Sequence, residues 1–212
     1  NLLADAQLWQ ATQLAPAFGE PAPDVAIQNG GGIRNDSVIP AGDFTELDTF
    51  AIASFGNFTS IVPNIPRAQF KEILENAVSR TQPGDTPGGS GRFPQIAGFS
   101  MTWSGSGTAQ VLDGDGNVTT PGTRIQEVEL DDGTLIVTGG AVVAGPDINI
   151  AIADFLARGG DEYPFRGAPF TALGATYQQA LAEYVSAPTG LDGLISAADY
   201  PAGGEGRNIE LP

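Results

Sequence analysis

Cysteine and histidine are both absent from the 212-residue sequence. Without cysteine, the chain has no disulfide, no thiolate metal site and no cysteine nucleophile. Without histidine, it has no Ser-His-Asp triad, no imidazole general base and no histidine-containing zinc or dinuclear metal site. These absences exclude histidine- and cysteine-based catalysis and metal binding, and we expect no catalytic residue, no metal ligand and no bound cofactor in this chain. Any catalysis by the chain alone would depend on carboxylates.

Basic residues are scarce, since nine lysines and arginines face 25 acidic residues and give a formal net charge of −16. Only Lys71 is a lysine. A surface this acidic repels a polyphosphate backbone, so we expect no binding of long nucleic acids. A small phosphorylated ligand is still compatible with this charge. One or two arginines in a cleft act over short distances, and surface carboxylates beyond the Debye length of about 8 Å are screened.

Long apolar runs are also lacking, so no membrane span is expected in this chain. Residues 1–17 have apolar positions at helical spacing, without the basic start and continuous apolar core of a signal peptide. The chain therefore begins as a fragment cut from a longer protein would, with any export signal outside it. A cysteine-free composition fits an exported protein, and we expect a periplasmic, cell-surface or secreted location.

The residues that are present form an ordinary globular composition, with 41% hydrophobic and 16% charged residues, and the length suits one domain over residues 1–212. Apolar periodicity predicts helices at residues 1–17, 67–79, 147–157 and 176–185. In the third of these, Phe155 and Leu156 are expected to face the core. Strands are predicted at residues 24–28, 57–62, 99–104, 124–130 and 134–138. This irregular alternation predicts an α+β fold, with a mixed β-sheet and flanking helices in a single domain.

The segment Asn29-Gly30-Gly31-Gly32-Ile33-Arg34 follows a predicted buried strand. Three consecutive glycines are conformationally costly, so the backbone there needs positive φ angles or a close approach to another segment. Asn29 offers both a donor and an acceptor to a base edge, and Arg34 matches a phosphate bidentately. No Lys-Ser/Thr pair follows the glycines, so this is not a Walker loop. A structural turn and a ligand loop both remain open.

Two further segments place aromatic residues beside glycines. Asp154–Tyr163 contains a predicted helix end, a glycine pair, Asp161 and Tyr163. The alternative to a ligand loop is a glycine C-cap with the tyrosine folded back over the helix end. Phe55 lies in Ala53–Asn57, where the following Gly-Asn pair favours a loop tip over core packing.

The acidic segment Asp113-Gly114-Asp115-Gly116-Asn117 is similar to the start of a calcium-binding loop. An EF-hand requires glycine at the sixth position and glutamate at the twelfth, where this chain has Val118 and Arg124. We therefore predict a polar hairpin turn, and the same for residues 131–133. Residues 81–91, rich in Gly, Pro, Ser and Thr, are predicted to form an exposed loop.

Taken together, the Asn29–Arg34 and Ala157–Tyr163 segments resemble the C-terminal domain of the 5'-nucleotidase family, which includes ecto-5'-nucleotidases and periplasmic UDP-sugar hydrolases. The resemblance runs almost from end to end of the chain. Further matches occur in the expected order at residues 1–6, 91–98, 200–202 and 205–207. Several ordered matches are far more specific than either glycine motif alone.

The resemblance implies a domain that grips a nucleoside and stacks its base between two aromatic rings, one from each of two loops. It implies that Phe55 and Tyr163 supply these rings, that Asn29 hydrogen-bonds the base, and that Arg34 meets the phosphate or ribose side. The implied substrate-binding residues are Asn29, Gly31, Gly32, Arg34, Phe55, Gly160, Asp161 and Tyr163.

The chain departs from the family pattern at Glu162, which stands where the family usually has the last glycine of Gly-Gly-Asp-Gly. Family members also often carry an acid for the ribose hydroxyls shortly after the aromatic residue. Pro164–Phe170 contains none, so Asp161 is the alternative for that contact. A phosphate-contacting arginine of the family precedes the position of Asn1 and lies outside this chain.

The resemblance further implies a partner domain on the same polypeptide. Family members join an N-terminal metallophosphoesterase domain, which holds two divalent metal ions, to a substrate domain of the present kind. Metal-activated water would attack the phosphorus there, and this chain would carry the nucleoside to the metals by interdomain rotation. The sequence leaves open a nucleoside monophosphatase, a 2',3'-cyclic phosphodiesterase or a UDP-sugar hydrolase. The alternative is a non-catalytic nucleoside-binding module or surface protein, and a carboxylate-only hydrolase is a remote third.

Overall fold

The computed structural model describes residues 1–35, 37–81 and 90–212. These residues form five α-helices and twelve β-strands. The helices are α1 (Leu2–Phe18), α2 (Glu46–Ile52), α3 (Arg67–Val78), α4 (Asp154–Ala157) and α5 (Tyr177–Ser186). The strands are β1 (Val25–Asn29), β2 (Phe58–Ile65), β3 (Pro94–Ala97), β4 (Phe99–Ser104), β5 (Val111–Leu112), β6 (Val118–Thr120), β7 (Ile125–Leu130), β8 (Leu135–Thr138), β9 (Ala141–Val142), β10 (Ile148–Ala153), β11 (Thr171–Thr176) and β12 (Asn208–Leu211).

The strands form two five-stranded mixed sheets and a two-stranded ribbon of β5 and β6. The first sheet has the order β11-β2-β10-β1-β3, and the second has the order β12-β4-β7-β8-β9. In the first sheet β1 pairs parallel with β10 and antiparallel with β3. The predicted α+β class with mixed pairing in a single domain is confirmed, with two sheets in place of one.

The two faces of the first sheet carry side chains of different size, because successive residues of a strand point to opposite faces. On one face, alanines of the strands pack against alanines of α1, in a cluster that contains Ala4, Ala11, Ala15, Ala26, Ala97 and Ala151. These small side chains allow α1 to lie close to the sheet. The predicted first helix is confirmed, although Pro16 lies inside its last turn and the helix ends at Gly19, with φ 71°.

The opposite face of the first sheet carries larger side chains and forms the main core. Ile27 of β1 and Ile150 of β10 are fully buried there, together with Trp103 of the second sheet. α3 contributes Phe70 and Ile73 to the same core, as its sequence periodicity predicts. The main core therefore joins both sheets and α3 into one body.

The predicted helix over residues 147–157 is wrong, because residues 148–153 form β10 in the centre of the first sheet. Ile148, Ile152 and Leu156 have helical spacing, but Ile148, Ile150 and Ile152 alternate equally well as a strand. Hydrogen-bonding partners on both sides, β1 and β2, favour the strand. Only α4 is helical, and Phe155 is 44% exposed instead of facing the core.

The two predicted acidic turns are confirmed. Asp113 Oδ1 accepts hydrogen bonds from the backbone nitrogens of Asp115 at 2.9 Å and Asn117 at 2.8 Å, and the segment connects β5 to β6. The hydrogen bond from the Asn117 side chain is the largest cause that lowers the pKa of Asp113. Residues 131–133 form the turn between β7 and β8. Most of the loop predicted at 81–91 lies outside the described residues.

Two predicted helices agree with the structure within a residue or two, at α3 and α5. Strands β3, β5, β6, β9 and β12 were not predicted because each has only two to four residues. β11 was not predicted because its sequence lacks a clear alternation of apolar and polar residues. Among the residues that the structure describes, no helix is long and apolar enough to cross a membrane.

We expect Ala151→Leu to destabilise the fold, because a larger side chain on β10 would press against α1. Ala151 is fully buried in the alanine cluster, and overpacking of this kind costs about 1–3 kcal/mol. Urea unfolding measures the change in the free energy of unfolding. Ala141→Leu, on the exposed edge strand β9, is the matched control and should leave stability nearly unchanged. Equal stability of the two variants would contradict the close packing of α1.

Candidate functional site

Parallel pairing of β1 with β10 brings the carboxyl ends of both strands to the same edge of the first sheet. The chain leaves β1 into the triglycine loop and leaves β10 into α4. β2 runs antiparallel to β10, so the segment that enters β2 reaches the same edge. Loops at the carboxyl ends of parallel strands are a common position for ligand sites.

A cavity of about 370 Å³ lies at this edge. Its lining combines the loops after β1 and β10 with the segment before β2. The lining residues are Asn29, Gly31, Gly32, Arg34, Phe55, Asn57, Gly91, Phe155 and Asp161. The structure therefore brings most of the predicted site residues to one cavity, but Gly160 and Tyr163 are not among the residues that line it.

Tyr163 is buried, with 1% of its surface exposed, and its hydroxyl donates to the backbone oxygen of Arg92 at 2.8 Å. Burial raises the pKa of this hydroxyl. Asp161 and Glu162 have positive φ angles of 52° and 60°, and after this reversal Tyr163 joins the main core. The predicted position of Tyr163 as an exposed stacking ring is corrected. The tyrosine is folded back, as the alternative interpretation of this segment had it.

Phe155, from the same segment, lines the cavity where Tyr163 was expected to. Its ring lies against Gly160, where an added Cβ would come within 2.6 Å of the ring carbon Cδ1. Gly159, with φ 92°, provides the left-handed residue that lets the chain turn beneath the ring. The glycine pair therefore supports Phe155 directly. Sequence reasoning missed this residue because it assigned residues 147–157 to a helix with Phe155 on the buried face.

Two aromatic rings now line one cavity. Phe55 is 43% exposed and Phe155 is 44% exposed. Among the described residues the two rings form no aromatic pair with each other. The Arg34 guanidinium lies over the Phe55 ring, with Cζ 5.0 Å from the ring centroid. Arg34 forms no salt bridge with any carboxylate that the structure describes.

Tyr177, at the start of α5, connects two of the cavity loops and was not found from the sequence. Its hydroxyl donates to the Gly32 backbone oxygen at 3.1 Å and accepts from the Phe55 backbone nitrogen at 3.0 Å. The side chain is fully buried, and burial raises the pKa of the hydroxyl. Tyr177 therefore sets the separation between the triglycine loop and the Phe55 loop.

The triglycine loop is both a structural turn and a wall of the cavity. Its glycines have no positive φ angles, and the close approach of another segment explains them instead. Gly30 and Gly31 donate backbone hydrogen bonds to the carbonyls of Phe93 at 2.8 Å and Gly91 at 2.7 Å. A Cβ added at Gly31 would lie 3.1 Å from the Gly91 oxygen. The loop is therefore seated on residues 91–93.

Asn29 and Asp161 connect the two main loops, because Asn29 Nδ2 donates to Asp161 Oδ2 at 2.5 Å. Asp161 Oδ1 has no hydrogen-bond donor among the described residues. The neighbouring Glu162, which departs from the family glycine, pairs with Arg92 at 2.8 Å and Arg80 at 3.0 Å. The hydrogen bond from Arg92 is the strongest influence that lowers the pKa of Glu162. These ion pairs hold a non-glycine residue at positive φ.

The described residues contain no group of three or more acidic side chains arranged to hold a metal ion. The cavity lining presents two aromatic faces, an amide, a carboxylate and a guanidinium. Such a set can contact a flat ring, hydroxyl groups and an anion at the same time.

We expect Tyr177→Phe to destabilise the fold by about 1–3 kcal/mol, because the carbonyl of the buried residue Gly32 loses its donor. Urea unfolding measures the change. Tyr184→Phe is the matched control, since the one hydrogen bond of its hydroxyl among the described residues is to the Tyr200 hydroxyl at 3.3 Å, and it should lose less stability. If Tyr177→Phe were no less stable than the control, the hydroxyl would not join the two loops.

Comparisons with known proteins place the chain in a family. The family model for the 5'-nucleotidase C-terminal domain matches residues 1–167. No curated protein matches the chain. Among solved structures, a 5'-nucleotidase precursor from Thermus thermophilus is similar with a TM-score of 0.72 and 24% identity, over 100% of this chain and 34% of that one.

Two further structures share the fold. The NAD nucleotidase of Haemophilus influenzae has a TM-score of 0.56 and 17% identity, over 95% of this chain and 31% of that one. A putative 5'-nucleotidase from Staphylococcus aureus, solved with α-ketoglutarate, has a TM-score of 0.59 and 18% identity, over 88% and 32%. The chain thus spans about a third of the length of these proteins. With a family model that matches most of its residues, the chain belongs to the family of 5'-nucleotidase C-terminal domains.

Proposed function

We propose that this domain binds the nucleoside part of a nucleotide and stacks the base between Phe55 and Phe155. The observation that carries this proposal is that two half-exposed rings from separate loops line one cavity with Asn29 and Asp161. The proposal keeps Phe55 from the sequence prediction and replaces Tyr163 with Phe155.

The size of the cavity and the energetics of stacking support this proposal. A volume of about 370 Å³ falls within the range of small-molecule sites. Stacking of a base on an aromatic side chain is worth about 1–3 kcal/mol and tolerates different bases, because every base has a π face. Exposed phenylalanine rings are otherwise unfavourable in water, so a ligand that covers them gains apolar burial as well.

The polar groups of the cavity suit the rest of a nucleotide. Asp161 Oδ1, which has no donor among the described residues, can accept hydrogen bonds from the ribose hydroxyls. Asp161 would thereby replace the ribose-binding acid that Pro164–Phe170 lacks. Arg34 is charged, exposed and adjacent to Phe55, so its guanidinium would contact a phosphate next to the stacked base. Asn29 would meet the base edge.

Hydrolysis would take place on another domain of the same polypeptide. This chain has no histidine, and the similar solved proteins are about three times its length. We propose an N-terminal metallophosphoesterase domain there, with two divalent metal ions that activate water for attack on the phosphorus. The parent protein would then be a phosphoester hydrolase. A location in the periplasm, at the cell surface or outside the cell belongs to the same proposal.

We expect Phe55→Ala and Phe155→Ala each to weaken adenosine binding by about 5- to 150-fold, the equivalent of about 1–3 kcal/mol of lost stacking. Isothermal titration calorimetry with the purified chain measures the affinity. Tyr163→Phe is the control, because its ring is buried and lacks access to the cavity, and it should bind adenosine as the wild type does. Unchanged affinity in the Phe55→Ala/Phe155→Ala double variant would overturn the stacking proposal.

We expect the purified chain to release no phosphate from AMP, even with added Mn²⁺ or Zn²⁺, because the described residues offer no metal-binding cluster and the sequence has no histidine. A colorimetric phosphate assay measures release. Adenosine binding without phosphate release would agree with a substrate-binding role for this domain and catalysis on another domain. Metal-dependent turnover by this chain alone would show that the catalytic groups lie within it.

A further inference from the structure

A row of buried amide side chains lies behind Asn29. Gln7 of α1 and Gln28 of β1 are both fully buried. Gln7 Nε2 donates to Gln28 Oε1 at 2.6 Å. Gln28 Nε2 in turn donates to Asn29 Oδ1 at 2.9 Å and to the Asn29 backbone oxygen at 3.0 Å. Buried polar side chains in such numbers are costly unless they are paired, so the row has a structural or functional reason.

The orientation of the Asn29 amide follows from two groups whose chemical identity is fixed. The Asn29 backbone oxygen can only accept, so the group that Gln28 directs at it must be the NH₂ end. That NH₂ also reaches the Asn29 side chain, which must therefore present its oxygen there. At the other end, the Asp161 carboxylate accepts from Asn29 Nδ2 at 2.5 Å. A flipped amide would place oxygen against carboxylate and NH₂ against NH₂.

The loop itself is shaped around this amide pair. A Cβ added at Gly32 would lie 2.8 Å from Asn29 Oδ1 and would overlap Gln28 Nε2. The third glycine of the loop is thus required by the contact between Gln28 and Asn29. It also encloses the Asn29 oxygen, which is turned toward Gln28 and Gly32 and has its hydrogen bond satisfied within the protein.

We propose that Gln28 is a positioning residue that locks Asn29 so that it offers a ligand only a hydrogen-bond donor. The amide nitrogen has two hydrogens, and Asp161 takes one. The other is the group that Asn29 can direct into the cavity that it lines. The base is then read through an acceptor atom on its edge. This inference rests on the proposed nucleoside site and specifies how that site reads a base.

Gln7 has a lesser part in this arrangement. Its Oε1 is buried without a hydrogen-bond partner, so nothing on that side fixes its orientation. Gln28 remains anchored by the Asn29 backbone oxygen when Gln7 is changed. Loss of Gln7 should therefore reduce stability and leave the orientation of Asn29 intact, which makes Gln7 a matched control for Gln28.

Adenosine and its 1-deaza, 3-deaza and 7-deaza analogues test the inference, because each analogue replaces one acceptor nitrogen of the base with C–H. Calorimetry on the wild-type chain should show that one analogue binds about tenfold more weakly than adenosine, as expected for one lost hydrogen bond. In Gln28→Met, which has similar length and no donor, Asn29 loses one of its two orienting contacts, and only Asp161 still holds its amide. The discrimination against that analogue should fall to about threefold or less.

Gln7→Met should keep the wild-type discrimination between adenosine and that analogue while it loses stability. This control distinguishes the positioning of Asn29 from a general effect of lost buried packing. Equal discrimination in Gln28→Met and wild type would overturn the role of Gln28. If Gln28→Met fails to fold, the affinities of the wild-type chain still test the inference. Equal affinity for adenosine and all three analogues would show that Asn29 reads no acceptor atom of the base. If adenosine binding depends on Phe55 and Phe155 but all three analogues bind as adenosine does, the inference about Asn29 and Gln28 is overturned and the proposed function stands. No adenosine binding at all would overturn both it and the proposed function.

Discussion

The parallel pairing of β1 with β10 is the constraint on which the rest of the structure depends. Its register places Val25 beside Ile150 and Ile27 beside Ile152. The same register turns the alanines toward α1 and the larger residues toward the main core, and a slip of one residue would exchange the two faces. It also ends both strands at one edge, so loops that are more than 100 residues apart in sequence form a single cavity.

Backbone conformation, more than side-chain type, decides which aromatic residue faces that cavity. Phe155 lies in α4, two residues after the end of β10, and its ring packs against Gly160. Tyr163 follows two residues with positive φ and is buried in the core. Glu162 stands where the family has a glycine, and its ion pairs with Arg80 and Arg92 stabilise the positive φ angle at this position. The tyrosine hydroxyl then finds its acceptor on Arg92, so the same short segment stabilises the wall of the cavity from behind.

Buried hydrogen bonds give the cavity its rigidity. Tyr177 fixes the distance between the two loops on one side, and the chain from Gln28 through Asn29 to Asp161 joins the loops on the other. In a low-dielectric interior such bonds have few alternative partners, so each side chain has one favourable orientation. A cavity built this way is preorganised, so a ligand would meet groups that are already oriented.

The sequence by itself determined much about this protein. The absence of histidine and cysteine limits its chemistry. Local patterns together with the family resemblance singled out the triglycine loop, Phe55 and Asp161, which the structure places at one cavity. α3 and the acidic hairpin follow from local periodicity and turn chemistry. Only the tertiary structure decided that residues 148–153 are a strand, because their spacing fits a helix as well and the neighbouring strands made the difference. It also decided that Phe155 and not Tyr163 lines the cavity, and it established the contacts of Tyr177 and Gln28, since burial and hydrogen-bond partners distant in sequence leave no local pattern.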